Sequence, residues 1–408
     1  MRKVWLILVV LLAVTAVLAF SDQVLTVLMP IGGGYTIDQE EAISAGFEQT
    51  HPNVKVDMTF VGWSDLWNKI VTSIAAGSAP DVMYIGSRWI PELANMGAII
   101  PLDSYITPQK KSMYYPTVWY TVTYKGHIWG VEKSMSTEVF IYNKKLFESA
   151  GITSTPTNWD ELLTDAKKIY DPSKGIYGIA MAGENFISTL SQFQNYLYAN
   201  NGWIVDPNTG KVTINATPAV QALTLYKELS QYAQPGIISW KREDLYKLFE
   251  TGKVGFYMDE IYNVPTFIKD GMDIGLFYVP GGPSSTKPYG TEIITDSMAI
   301  SSQAKNKELA WEYIDYMTSL QQQTKWDTSL GFIPPMLEES KAAAFQPWYW
   351  QFYIKALNYG QAENTGVINW TPTRTIIVDA IQSVLLGNST PKAALNEAAR
   401  AIEALQQQ

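Results

Sequence analysis

The fold of this chain is decided by residues 124–168, which read YKGHIWGVEKSMSTEVFIYNKKLFESAGITSTPTNWDELLTDAKK. The segment opens with a predicted hairpin turn at Gly126, a residue that adopts positive φ without strain. An apolar strand is predicted over residues 139–142, and Asn143 can cap the short helix that follows it. Thr157 is predicted to begin a second helix in a capping-box-like arrangement. The segment therefore combines a hairpin, a strand and two capped helices.

Strands and helices alternate in the part of the chain that precedes this segment. Residues 24–30 form an apolar run, residues 54–60 alternate apolar with polar side chains, and residues 81–85 read as a third strand. Alternation of this kind predicts an α/β fold with parallel, doubly wound sheets. Ligands of such sheets bind beyond the carboxyl ends of the strands. That rule selects three rim segments, residues 29–35, 62–63 and 86–89.

The first 19 residues have the pattern of a secretory signal peptide. Arg2 and Lys3 precede an apolar run over residues 4–19 that ends in small residues. A membrane-spanning helix is the alternative, but it needs about 20 apolar residues. The sequence contains no cysteine, which excludes a disulfide framework and acylation at a lipobox cysteine. These features predict a free protein of the periplasm.

Charge and composition narrow the class of partner. The chain carries 30 basic and 39 acidic residues, a net charge of -9, without any basic run, which argues against nucleic acid or an anionic membrane as a partner. The 14 tryptophans and 24 tyrosines suit a protein that stacks aromatic faces on sugar rings. His51 and His127 lie in separate turns without a metal ligand at suitable spacing, so no metal site, Ser-His-Asp catalysis or cofactor is expected.

Several ordered segments resemble family 1 extracellular solute-binding proteins of the maltose-binding type. The segments are GHIWGVE at 126–132, VFIYNKKLFESAGI at 139–152, PTNWDELL at 156–163, AAGSAPDVMYIGS at 75–87, ELANMGAIIPLDSYI at 92–106 and an F-x-x-G-K pattern at 249–253. The resemblance implies a secreted, monomeric, non-enzymatic receptor that hands a sugar to the permease subunits of an ABC importer in the inner membrane. One departure is visible at residues 131–134, VEKS, where family members usually have proline after the aliphatic residue.

The resemblance also implies a two-lobed periplasmic-binding-protein fold of type II, with a mostly parallel sheet in each lobe. The chain would cross between the lobes three times, near residues 133–138, 290–297 and 334–336. One lobe would hold residues 20–133 with 297–334, and the other would hold residues 138–290 with 336–408.

Sugar binding needs aromatic faces against the C–H side of the ring, and side chains that pair with neighbouring hydroxyls. The rim of the first lobe offers Trp63, Ser87, Arg88 and Trp89. From the second lobe, the resemblance implies a cleft position for Glu184, Asn185, Phe186, Asp259, Tyr262 and Trp370. Arg374 lies one helical turn beyond Trp370, on the same face, and Glu292 is a further candidate near a crossing.

Three other interpretations of these residues stay open. The triple glycine at 32–34 is typical of a phosphate loop, but no Gly-Lys-Ser/Thr follows it, which favours a simple turn. A secreted glycoside hydrolase could use Glu184 and Asp259 as its carboxylate pair. The ligand could also be a polyol, a cyclitol or glycerol phosphate. Phosphate is the least favoured of these, because only Arg88, Lys133 and Arg374 could contact it among several acids.

Overall fold

The computed structural model describes residues 23–31, 36–362 and 366–407. Its strands are β1 Gln23–Ile31, β2 Val54–Gly62, β3 Val82–Gly86, β4 Thr123–Tyr124, β5 His127–Ile128, β6 Val131–Thr137, β7 Val139–Asn143, β8 Tyr177–Ala180, β9 Val254–Asp259, β10 Ile274–Phe277, β11 Val279–Pro280, β12 Tyr289–Ile300 and β13 Gly360–Ala362. The predicted signal peptide and the triple-glycine turn with Tyr35 lie outside the described residues. Within the described part of the chain, no helix is long and apolar enough to cross a membrane.

The α-helices separate these strands and cover both faces of the sheets. They are α1 Ile37–Thr50, α2 Trp63–Ala75, α3 Ile90–Asn95, α4 Pro108–Met113, α5 Pro116–Thr121, α6 Lys144–Ser149, α7 Trp159–Ile169, α8 Ile187–Ala199, α9 Thr217–Leu229, α10 Arg242–Glu250, α11 Val264–Lys269, α12 Lys307–Met317, α13 Leu320–Leu330, α14 Trp348–Ala356, α15 Trp370–Leu385 and α16 Pro391–Gln406.

The first sheet is built on the parallel strands β2, β1 and β3. Strand β1 pairs with β2 from Gln23 opposite Val54 to Ile31 opposite Gly62, and its other edge pairs with β3. Because the three strands are parallel, their carboxyl ends meet at one edge, as the alternating sequence pattern predicts. Helix α2 begins at Trp63, directly where β2 ends.

The long strand β12 connects the first sheet to the remainder of the molecule. Its second half pairs antiparallel with β3, its first half pairs with β11 and β13, and β6 runs antiparallel beside its middle. Strands β6 and β12 pass between the two halves of the protein in opposite directions, so their pairing is antiparallel. The extended run predicted around the second crossing is therefore one continuous strand.

The second sheet has the strand order β10-β7-β9-β8. Only the β8–β9 pairing is parallel, whereas β7 runs antiparallel to both of its neighbours. This sheet is mixed rather than mostly parallel, because β7 enters it directly from the crossing strand β6 instead of through a helical crossover. The two sheets with their helices give the predicted two-lobed α/β architecture.

The stretch at 124–168 adopts the predicted elements with one shift. Strands β4 and β5 form the hairpin, and Lys125 and Gly126 occupy its turn with φ values of 49° and 81°. The Asn143 side chain accepts a hydrogen bond from the Leu146 N–H and caps helix α6. Helix α7 is capped by Asn158 instead of Thr157.

The side chain of Thr157 has a different partner from the one the capping-box pattern suggests. Its backbone N–H and its hydroxyl both donate to the Glu161 carboxylate, at 2.8 and 2.9 Å. The Asn158 side chain accepts a hydrogen bond from the Glu161 N–H at 2.9 Å and caps the helix. The helix therefore begins one residue later than the sequence pattern predicts.

Candidate functional site

A cavity of about 240 Å³ lies where the two halves of the molecule meet, at the edge formed by the carboxyl ends of β1 and β2. Its walls come from both halves and from β12. They are made by Ile31, Gly62, Trp63, Ser64, Arg88, Phe186, Ile187, Ser191, Lys241, Arg242, Glu243, Glu260, Tyr262, Ile294, Asp296 and Phe332. Aromatic faces and charged groups therefore share one enclosed space.

The first sheet contributes an aromatic platform. The rings of Trp63 and Trp89 stack with their centroids 5.6 Å apart and their planes 19° from parallel, and Trp67 lies 5.3 Å from Trp89. The Arg88 guanidinium lies 5.5 Å from both the Trp63 and the Trp89 ring centroids, in cation–π contact. Arg88 also faces the Asp296 carboxylate at 3.7 Å.

These side chains reach the cavity because of where their elements begin. Trp63 is the first residue of α2, and the short turn Ser87–Trp89 follows β3 immediately. Both segments stand at the carboxyl edge of the parallel strands. The strand-end rule, applied to the alternating pattern of the sequence, is sufficient to locate this platform.

The opposite wall comes from the second sheet and its helices. Phe186 precedes α8, and Tyr262 lies in the short turn Ile261–Asn263 that follows β9. The Lys241 ammonium sits 5.8 Å from the Phe186 ring centroid. The Tyr262 ring lies 6.5 Å from that of Phe332, which comes from the third predicted crossing. Rings from the two halves thus face each other across the cavity.

Arg242 anchors a group of buried carboxylates below this wall. Its guanidinium forms ion pairs with Glu138 and Glu260, and its Nε lies 3.9 Å from Asp259. Burial raises the pKa of Glu138 to about 8 and that of Asp259 to about 6, although the Arg242 charge opposes both shifts. The cluster fixes Arg242 and Glu260 at the cavity wall, where they can bond to a polar solute.

A second cavity of about 110 Å³ adjoins the first. The two share Trp63, Ser64, Arg88, Phe186 and Ile187, and the smaller one is completed by Trp67, Asn68, Trp89, Trp370, Thr371 and Arg374. Trp370 is fully buried at the start of helix α15, and Arg374 lies one turn further along that helix. The two cavities are therefore compartments of one site.

Seven of the twelve residues predicted to contact a ligand line one or both cavities. They are Trp63, Arg88, Trp89, Phe186, Tyr262, Trp370 and Arg374. The other five, Ser87, Glu184, Asn185, Asp259 and Glu292, do not line either cavity, and each has a local structural reason.

Ser87 points away from the cavity into the layer beneath it. Its hydroxyl contacts the Ser297 hydroxyl at 2.7 Å and donates to Glu132 at 3.2 Å. Glu132 is fully buried, and burial raises its pKa well above the ordinary value. In the turn after β3, Ser87 and Arg88 project in different directions, so only Arg88 enters the site.

Asp259 and Glu292 are fully buried and satisfied by the protein itself. Asp259 accepts hydrogen bonds from the Tyr257 hydroxyl at 2.6 Å and from Asn263 at 2.7 Å. Glu292 accepts from the Ser191 hydroxyl at 2.7 Å and from the Gln194 amide. Asp259 therefore links the end of β9 to the turn that follows it. Glu292 links β12 to α8.

Glu184 and Asn185 lie in the loop that leads to Phe186, where Glu184 is half-buried and Asn185 is exposed. The exposed Asn185 amide donates to Asp379 on α15 at 2.7 Å, and the Glu184 N–H donates to the Trp240 carbonyl at 3.1 Å. The carboxylate pair suggested for a glycoside hydrolase, Glu184 with Asp259, is therefore not assembled in either cavity.

The sequence patterns did not identify six other cavity residues, Lys241, Arg242, Glu243, Glu260, Asp296 and Phe332. Glu260 and Phe332 could have been found, because they adjoin Asp259 and the third crossing. Lys241 and Arg242 lie at the polar start of α10, which resembles any solvated helix start. Among the described residues, no cluster of His, Cys, Asp or Glu side chains is arranged to hold a metal ion.

Comparisons with known proteins agree with this geometry. A protein of Brucella abortus (strain 2308), named only as a binding protein, is 30% identical over 90% of this chain and 89% of its own. A solute-binding protein of Thermotoga lettingae, solved with α-D-tagatose, superposes with a TM-score of 0.83 at 24% identity over 94% of this chain and all of its own. The maltose-bound MalE3 of Thermotoga maritima has a TM-score of 0.83 at 23% identity over 94% of this chain and 99% of its own.

The family match covers most of the chain. The model of the bacterial extracellular solute-binding proteins matches residues 33–324, which include all residues that line the larger cavity except Ile31 and Phe332. Taken with the two-lobed fold and the site between its halves, this match shows that the chain belongs to the bacterial extracellular solute-binding protein family.

Proposed function

We propose that this protein captures a carbohydrate between its two lobes and delivers it to an ABC importer. The observation that carries the proposal is the larger cavity, in which Trp63, Phe186 and Tyr262 present rings beside Arg242 and Glu260. Rings can cover the apolar face of a sugar, and fixed charged groups can bond to neighbouring hydroxyls. The tagatose- and maltose-bound neighbours in structure support a carbohydrate rather than another solute.

The size of the cavity favours a small solute. The two compartments, of about 240 and 110 Å³, together lie near the lower end of the range of about 300–1,000 Å³ that is typical of pockets for drug-sized ligands. A mono- or disaccharide, or a polyol of similar size, suits this space better than an extended oligosaccharide.

We propose the lobe boundaries that the sequence suggested, residues 20–133 with 297–334 and residues 138–290 with 336–408. The change of sheet between Thr137 and Val139 supports the first crossing, because β6 pairs with β12 and β7 pairs in the second sheet. The continuous β12 supports the second crossing. The Ile333 N–H donates to the Met135 carbonyl at 2.8 Å, which supports a third crossing beside the first.

Closure over the solute would be a population shift that is driven by contacts from both lobes. Trp63 and Arg88 contact the solute from one side, whereas Phe186, Arg242 and Tyr262 contact it from the other. We further propose that the protein works in the periplasm as a monomer, without catalytic activity, and that its closed form docks on the permease subunits.

A thermal-shift panel of monosaccharides, oligosaccharides and polyols tests the carbohydrate proposal. A solute present at about 100 times its Kd should raise the free energy of unfolding by about 2.7 kcal/mol, which appears as a higher Tm. At least one carbohydrate or polyol should produce this shift. If no member of the panel raises the Tm, the carbohydrate proposal is wrong.

A further inference from the structure

The smaller cavity has a positive character. Its only charged lining residues among those the structure describes are Arg88 and Arg374, although the chain as a whole has a net charge of -9. The remaining walls are aromatic, apolar or neutral polar side chains. A compartment with two guanidinium groups and no acid suits an anionic group on a ligand.

Arg374 has few partners of its own. Among the described residues no carboxylate forms an ion pair with it, its Nε has no hydrogen-bond partner, and its Nη2 donates only a long bond of 3.4 Å to the Thr375 hydroxyl. Asp379 is near enough to raise the pKa of Arg374, but that carboxylate already accepts from Asn185 at 2.7 Å. The guanidinium fork therefore keeps donors available on the cavity side.

The two arginines act on each other across the compartment. Desolvation lowers the pKa of Arg374, and the Arg88 charge lowers it further. Asp296 at 3.7 Å already balances the charge of Arg88, whereas among the described residues no carboxylate forms an ion pair with Arg374. A ligand anion beside Arg374 would supply the counter-charge that this partly buried group lacks.

The two compartments differ in size, and each suits a different part of a ligand. About 110 Å³ is room for a carboxylate or phosphate group, whereas the adjoining 240 Å³ is suited to a sugar ring. Trp63 and Arg88 line both compartments, so a single small molecule can occupy them together.

Resting on the proposed function, we infer that the solute is an acidic carbohydrate, whose ring lies in the larger cavity and whose anionic group lies between Arg88 and Arg374. The group is a carboxylate or a phosphate, because both match the planar donor fork of arginine. Lys133, the other cation considered for phosphate, cannot take part, since it is fully buried and its ammonium donates to the Met317 carbonyl at 3.0 Å.

Calorimetric titration with matched pairs tests this inference. The probes are galacturonate against galactose, glucuronate against glucose, and glucose 6-phosphate against glucose, in a buffer free of phosphate. At least one acid should bind about tenfold or more tightly than its neutral parent. The carboxylate and phosphate arms distinguish the two anions.

Three variants locate the effect. Arg374→Gln should remove the preference for the acid, so that the acid and its neutral parent bind with similar affinity. Arg374→Lys, which keeps the charge and loses the fork, should retain part of that preference, and the thermal unfolding of each variant shows whether that variant is folded. Arg400→Gln, which removes an exposed positive charge from α16 outside both cavities, should bind like the wild type.

The outcomes separate this inference from the proposed function. If neutral sugars bind as tightly as their acids, and Arg374→Gln changes nothing, the acidic ligand is wrong while the carbohydrate receptor stands. If none of these probes binds, the acidic ligand is wrong, and the thermal-shift panel alone decides whether the protein is a carbohydrate receptor.

Discussion

Trp63 shows how one residue joins the fold to the site. It directly follows strand β2, is the first residue of helix α2, stacks on Trp89 and lines both cavities. Its position could be predicted from sequence because the alternation of β2 is regular and the strand-end rule is general. The direction of Ser87 could not be predicted, because in a short turn a shift of one residue moves a side chain out of the site.

Replacing Trp63 tests the aromatic platform. Trp63→Ala should weaken binding of the solute by about 2 kcal/mol, roughly thirtyfold in Kd, because a ring face that the solute covers is lost. Calorimetric titration measures the change. Trp348→Ala is the matched control, since Trp348 is 51% exposed and lines neither cavity. Equal affinities in both variants would show that Trp63 does not contact the solute.

Glu138 predicts a pH dependence of stability. Burial raises its pKa from 4.5 to about 8 in the folded state. Between these values only the folded state keeps the proton, so the free energy of unfolding falls as pH rises, by at most about 1.4 kcal/mol per pH unit. The stabilisation is complete below pH 4.5 and is lost as pH rises through 8.

Glu138→Gln removes this titration. Urea unfolding at several pH values from 5 to 8 should show a shallower decline of stability than the wild type shows. Glu403→Gln, at an exposed position on α16, should keep the wild-type slope. An unchanged slope in Glu138→Gln would mean that Glu138 is ionised in the folded protein.

At the scale of elements, strand β12 and helix α8 are packed closely enough to require glycine. A Cβ placed on Gly290 would lie 2.4 Å from the Ala199 Cα and 2.7 Å from its N. Gly290→Ala should therefore lower the free energy of unfolding by about 1–3 kcal/mol through overpacking. Gly62→Ala is the control, because a Cβ there meets nothing nearer than 3.8 Å. Denaturant unfolding compares the two, and a smaller loss for Gly290→Ala would contradict this packing.

The N-terminus of helix α15 lies beside α3, an element far away in sequence. The Glu92 carboxyl group is close enough to the backbone N–H groups of Trp370 and Thr371 for them to oppose the rise in its pKa that burial causes, and a carboxylate is favourable at a helix N-terminus. Under the proposed boundaries, Glu92 and α15 belong to different lobes. The contact is therefore expected to stabilise the closed form specifically.

Glu92→Ala should weaken solute binding by about 1 kcal/mol, since the closed form loses a carboxylate at a helix N-terminus. The control is Glu403→Ala, which removes an exposed carboxylate elsewhere. Calorimetry gives the affinity, and X-ray scattering of the unliganded protein should show a more extended particle for Glu92→Ala. A variant with unchanged affinity and scattering would mean that this contact does not favour closure.

For the whole molecule, the regular alternation of strands and helices was sufficient to predict the α/β class and the strand-end edge at which the cavity lies. The two lobes were expected from the resemblance to the family. The mixed second sheet was not predictable in the same way, because the direction of β7 depends on its entry from β6. Likewise Arg242 reaches the cavity wall through ion pairs with Glu138 and Glu260, which no local pattern reveals.

The central claim is that the solute binds in the cavity between the lobes, and filling that cavity tests it most directly. Ile187 lines both compartments at the start of α8, so Ile187→Trp should occupy the space of the solute. Ile268→Trp adds the same bulk at a position on α11 that is 41% exposed. In calorimetric titration with the best carbohydrate of the panel, Ile187→Trp should give no binding heat and Ile268→Trp should bind like the wild type. Wild-type affinity in a folded Ile187→Trp protein would contradict the account.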